Sequence, residues 1–188
     1  MRMGGEQENG VSTTSRLRVV MVLASVLTAP ALAVAQDTAT GTLTVTATVD
    51  SSISMTFEND GAGVALAGAG TSAATMALGT ISAYETISTP GVSRTVTATD
   101  FTVSSLFGVK VVKANSTSAN YTLAAALGSA DATNTWKVNA VSLTTSNQNL
   151  GTSYSYGSAV AHTMYLTVPV SASPGAISKV LNFTATSN

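Results

Sequence analysis

Residues 40–49 read TGTLTVTATV, with threonine at every even position and, from Leu43 onward, an apolar residue at every odd one (Leu43, Val45, Ala47, Val49). A period of two is the pattern of a β-strand with one greasy face and one wet one. β-Branched threonine favours extended chain while tolerating water. Such a segment can be exposed without the aggregation hazard of a fully apolar strand. It stands just behind an apparent leader, so it begins the mature chain. A strand in that place can complete its own sheet or another molecule's.

The leader is read from Arg16 and Arg18, the apolar run 19–32, and Ala33-Val34-Ala35, a small-x-small signal for cleavage before Gln36. The apolar run is short for a bilayer span and no second one follows, so no transmembrane segment is expected in the mature chain. The expected organisation is a signal peptide over residues 1–35, an N-terminal strand segment over 36–50 and a domain over 51–188. The mature part, about 150 residues, suits one domain. Its five basic residues (Arg94, Lys110, Lys113, Lys137, Lys179) stand against seven acidic ones (Asp37, Asp50, Glu58, Asp60, Glu85, Asp100, Asp131). So few, scattered charges give no grip on nucleic acid and no patch for an anionic membrane. Cysteine is absent. Stability therefore comes from burial and sheet hydrogen bonds, and thiol chemistry and cysteine zinc sites are excluded.

Alternation continues along the chain. Ile53, Met55 and Phe57 make a second apolar edge, and residues 58–70 (ENDGAGVALAGAG) read as a glycine-rich loop. Residues 73–78 are the best helix candidate after the leader, though short and interrupted by Gly79; residues 76–81 also read as a short strand. Residues 92–103 alternate with a change of phase at Asp100 that predicts a bulge or corner. Further strands are predicted over 107–112, 121–127, 136–143, 160–170 and 179–186, the last with Leu181, Phe183 and Ala185 aligned. Eight or nine short strands between Gly, Asn, Ser and Pro turns predict an all-β fold, an antiparallel immunoglobulin-like β-sandwich.

Residues that carry chemistry are scarce. The single histidine, His162, falls on the apolar face of a predicted strand and reads as a core histidine. No nucleophile elbow, zinc-binding helix or carboxylate pair is recognisable, so no catalytic residue, cofactor or metal is assigned and an enzyme is not expected. Residues 58–61 (ENDG) offer oxygens but lack the spacing of a calcium loop, and read as a turn. Trp136 reads as a core anchor. Tyr154 and Tyr156, two apart, share a face and suit either core packing or a sugar platform. Three Asn-x-Ser/Thr sequons, at Asn115, Asn120 and Asn182, are within chance for this composition.

The N-terminal strand is thus the element with function attached. A sandwich lacking one strand leaves an apolar groove and unpaired backbone groups. An extended segment can add to that edge, completing the ladder while alternate side chains fill pockets. Leu43, Val45, Ala47 and Val49 would be the plugs. The Leu and Val plugs would contribute about 1.5–3 kcal/mol each if fully buried. Repeated head to tail, the contact builds a filament.

Residues 43–57, LTVTATVDSSISMTF, resemble the mature N-terminus of chaperone–usher fimbrial subunits of the colonisation-factor (alpha-class-like) type. The C-terminal PGAISKVLNFTATS, residues 174–187, is similar to the final strand of pilins; Ser51 stands where that group usually has proline. The resemblance implies a major pilin subunit of a surface fimbria, exported through the periplasm. It implies donor-strand exchange, with Leu43, Val45, Ala47 and Val49 as donor residues and Leu181, Phe183 and Ala185 bordering the acceptor groove. Identical subunits, a periplasmic chaperone and an outer-membrane usher are the implied partners. The alternative is a self-contained secreted β-sandwich, a binding, adhesion or matrix module. There, residues 50–52 would make a hairpin that folds the first strand onto the second.

Overall fold

The computed structural model describes residues 39–188, so the expected signal peptide and residues 36–38 lie outside the described residues. The chain divides into two units, residues 1–45 and 46–188. Of the first, residues 39–45 are neither helix nor strand and are exposed, Leu43 at 86% and Val45 at 80%. In the second, residues 46–51 are likewise exposed and form neither strand nor turn. Among the described residues the predicted half-buried strand over 40–49 therefore has no ladder and no cover, and residues 50–52 make no hairpin. Alternation fits a segment to a sheet but does not supply the neighbouring strand whose ladder makes it one.

The second unit is all-β. Its nine strands are β1 (Ser52–Glu58), β2 (Ser93–Val96), β3 (Asp100–Ala114), β4 (Asn120–Leu127), β5 (Thr135–Val138), β6 (Val141–Ser142), β7 (Gln148–Ser155), β8 (Ala159–Pro169) and β9 (Leu181–Ser187). No helix occurs among the described residues. Two antiparallel sheets form a sandwich, one in the order β1-β3-β8-β5-β6 with β2 also on β3, the other in the order β7-β4-β9.

The core follows from the alternation. Phe101, Val103, Phe107, Val109 and Val111 of β3, Met164, Leu166 and Val168 of β8, and Trp136 and Val138 of β5 are buried. They meet Tyr121, Leu123, Ala125 and Leu127 of β4 in one cluster. The change of phase at Asp100 is a hairpin rather than a bulge. β2 ends at Val96, paired with Phe101, and the Thr97 hydroxyl accepts the N–H groups of Thr99 and Asp100 (3.3 and 3.1 Å). The predicted strand 136–143 is likewise two short strands, turned by Asn139 at φ 53°. β7 had no counterpart among the predicted strands; its residues carry little apolar alternation.

The two long sides of the sandwich differ. On one, the chain itself passes between the sheets: Leu143 donates its N–H to the Trp136 carbonyl (2.9 Å), and Leu127 donates to the Thr144 carbonyl (2.7 Å). On the other, the ladder of β1 is with β3 and that of β9 with β4; among the described residues the outer edge of β1 is met at Phe57, whose N–H donates to the Thr71 carbonyl (2.9 Å) and whose carbonyl accepts the Gly70 N–H (2.7 Å), and the outer edge of β9 carries no ladder. β1 and β2 share the same flank of β3 and leave residues 105–107 between them. The glycine-rich loop fills that interval. The Val64 N–H donates to the buried Ser105 hydroxyl (2.9 Å). Gly63 lies so close that a Cβ would stand 1.9 Å from the Leu106 carbonyl oxygen.

Ser105→Ala strips the buried Val64 N–H of its acceptor. It is expected to cost about 1–3 kcal/mol, read as a lower denaturant midpoint, with faster amide exchange concentrated in residues 59–92.

Candidate functional site

The open flank is where the core is incompletely covered. Leu181, Phe183 and Ala185 face inward on β9, paired with Leu127, Ala125 and Leu123 of β4. Those β4 partners are at most 6% exposed, whereas the three β9 residues are only half-buried. The same holds across the gap for Ile53, Met55 and Phe57 of β1. Phe57 meets Phe183 edge-on at 5.3 Å, and Phe183 meets Phe107 at 5.7 Å, so a phenylalanine cluster is the main bridge between the two edges.

A cleft of about 970 Å³ opens here. Its floor is core: Phe57, Leu66, Phe107, Trp136, Met164 and Leu166. Its two walls are runs of consecutive residues, 72–81 on one side and 175–183 on the other. A strand that turned one face to the cleft would contribute every second residue. Each run borders the cleft at every residue, so main chain as well as side chains lines both walls. Wall 175–183 is continuous with β9 and includes the expected border residues Leu181 and Phe183; Ala185 lies farther along the same strand, outside the cleft lining. Wall 72–81 was not among the sequence-derived site residues. Its alternation is visible in Ala74, Met76 and Leu78, but the stretch reads from sequence as a short helix over 73–78 or a short strand over 76–81, next to the glycine-rich loop 58–70. It is neither helix nor regular strand.

The cleft lies away from the point where the N-terminal segment joins the domain. Ser52 pairs with Ala114 at one end of β3, while Met164 and Leu166 pair with Ser105 and Val103. Nine residues of strand separate Ala114 from Ser105, about 30 Å at 3.3 Å per residue, and the nearest floor residue on β1, Phe57, stands five residues beyond Ser52, about 17 Å. The expected donor residues Leu43, Val45, Ala47 and Val49 are all exposed, Val49 at 73%.

The other residues singled out in the sequence take structural places. His162 is 1% exposed, with Phe107 at 5.8 Å and Tyr154 edge-on at 5.6 Å. Asn139 Nδ2 lies 3.0 Å from His162 Nδ1 and Asn139 Oδ1 accepts the Thr163 N–H (3.0 Å). The amide therefore donates to Nδ1, and the proton of the neutral ring sits on Nε2, which has no partner among the described residues. A charged ring would place a second donor against Asn139. Burial holds the His162 pKa below its ordinary 6.5. Trp136 is a core anchor whose Nε1–H donates to Asp131 Oδ2 (2.8 Å). Desolvation pushes the Asp131 carboxyl up, but hydrogen bonds from Trp136, Asn134 and Thr133 outweigh it and hold its pKa well below the usual range. Tyr154 and Tyr156 pack on Tyr121 at 5.5 and 5.2 Å rather than forming a free platform. In the ENDG turn, Asn59 Oδ1 accepts the Leu66 N–H and Asp60 Oδ1 accepts the Ala62 N–H. Among the described residues no group of three His, Cys, Asp or Glu side chains gathers to hold a metal ion, and no helix is long and apolar enough to cross a membrane.

Comparison with protein-family models, with curated proteins and with solved structures finds no match for this chain.

The buried histidine sets an acid sensitivity. Its folded-state pKa is lowered, so the unfolded chain takes up the proton first. The stability linked to the neutral ring is fully present above pH 6.5 and is lost as pH falls below that value toward the folded-state pKa. Unfolding free energy is expected to fall below pH 6.5 by up to about 1.4 kcal/mol per pH unit. Denaturant titrations across pH 8 to 5 check this, and His162→Leu should flatten that stretch of the profile.

Proposed function

We propose that this protein is a structural, non-enzymatic subunit of an extracellular fimbria-like filament, polymerised by donor-strand exchange and supporting surface attachment. The cleft carries the reading. Its floor is the partly covered core and its walls are lined by main chain as well as side chains, a shape that suits an extended peptide better than a compact small molecule. Residues 40–49 have matching chemistry: an alternating row of exposed apolar side chains on a backbone with no ladder among the described residues. Leu43, Val45, Ala47 and Val49 of one copy enter the cleft of the next, beside Leu181 and Phe183, with the backbone continuing the β9 ladder. Ala185 continues that border toward the end of the strand.

The spacing supports a head-to-tail order. A donor segment rooted near Ala114 and a cleft reaching toward Val103 put the two halves of the contact at separated places on β3. A contact between different patches of identical molecules does not close on itself unless its rotation happens to make a ring. Its partners are identical subunits, and the resemblance of residues 43–57 to colonisation-factor pilins adds a periplasmic chaperone and an outer-membrane usher. On this reading residues 1–35 direct export and the filament stands at the cell surface.

Val45→Asp places a charge on an apolar plug and is expected to abolish polymers while leaving the same molecule able to accept a strand. Electron microscopy of the variant, with wild-type filaments as reference, decides it; unchanged fibres overturn the reading. Deleting residues 36–50 should yield a domain that a synthetic peptide of residues 40–50 stabilises in trans. Two buried Val plugs alone are worth about 3–6 kcal/mol, enough to raise the melting temperature by several degrees.

A further inference from the structure

We infer that residues 72–78 of the wall 72–81, irregular when the cleft is open, become a β-strand when it is filled. The incoming segment, residues 40–49 of a second copy, is then held by ladders on both flanks. This rests on the donor-strand reading and names a second half of the same interface. Ala74, Met76 and Leu78 are half-buried, while Thr75 and Ala77 between them are exposed. That is the alternation of extended chain lying on a core. Yet among the described residues the ladder contact of this stretch is a single bridge, Ala67 with Thr75, made by the Thr75 N–H to the Ala67 carbonyl (2.8 Å) and the Ala67 N–H to the Thr75 carbonyl (3.0 Å).

The bridge fixes which groups look where. In extended chain the N–H and C=O of one residue point to the same side, and those of the next residue to the other. Thr75 points to Ala67, so Ala77 points that way too, and Ala74, Met76 and Leu78 offer their main-chain groups to the opposite edge. Residues 72–81 line the cleft without interruption, so that edge borders it. The extended part of the wall, residues 72–78, lies between Gly70 at φ 82° and Gly79 at φ 69°, which end a regular strand on either side. What the stretch lacks is a neighbour, and a donor strand lying against β9 supplies one. A peptide ladder on each side also explains why a cleft wall is built from chain that is otherwise so sparsely hydrogen-bonded.

The test is residue-resolved amide exchange by NMR on the full chain carrying Val45→Asp, with and without a wild-type peptide of residues 40–50. Val45 is exposed, so the substitution leaves the sandwich intact. The expected result is that the amides of Met76 and Leu78 slow by about tenfold or more on peptide addition, together with amides of β9, while Ala77 is little changed. Slowing in β9 with none at Met76 and Leu78, or with faster exchange there, overturns the two-flank interface and leaves the donor-strand reading standing. No slowing in either place overturns both. A peptide carrying Val45→Asp is the control, and equal slowing by it would also overturn the proposal, since the apolar plugs would then play no part.

Discussion

The unequal closure of the two sides of the sandwich governs the rest of the structure. Where the chain crosses from β6 to β7, Leu143 and Thr144 bond to strands of both sheets, and the side chains beneath are sealed. Where β1 and β9 face each other, no strand lies between them among the described residues. Backbone groups on a sheet edge need a partner, and inward side chains need a roof. Phe57, Phe107 and Phe183 provide a partial roof through their bulk, leaving a slot rather than a collapsed seam.

Much of the fold was legible because alternation is a local property. Ile53, Met55 and Phe57, then Tyr121 through Leu127, Val160 through Val168 and Leu181 through Ala185, each fall on strands close to their predicted bounds. The errors share one cause, which is that hydrogen-bond partners are set by tertiary structure. Residues 40–49 have the most regular pattern in the chain and no ladder partner among the described residues, where they form no strand. β7 has little pattern, and it forms because β4 offers it an edge. Asp100 upsets the phase in a way that reads as a bulge or corner, and the structure has a hairpin there, capped by the Thr97 hydroxyl.

The candidate site was half legible for the same reason. Leu181, Phe183 and Ala185 could be found from sequence because their strand is regular and terminal. Wall 72–81 could not, since nothing local distinguishes a glycine-flanked loop from a strand waiting for a neighbour. The floor residues Trp136, Met164 and Leu166 read simply as core. Core side chains become a surface only when the sheet above them stops short, and that depends on the relative lengths of β3 and β4.

The scarcity of charge has an environmental consequence. Among the described residues that line the cleft, Lys179 is the one ionic side chain, and its ammonium is turned to Ser129 and the Ala130 carbonyl. A chain seated there would be held by peptide groups and hydrocarbon, neither of which is weakened by the counter-ions that screen salt bridges. A cable spliced in this way would keep its strength in seawater as in a freshwater stream, and would loosen in denaturants that solvate both peptide and apolar groups.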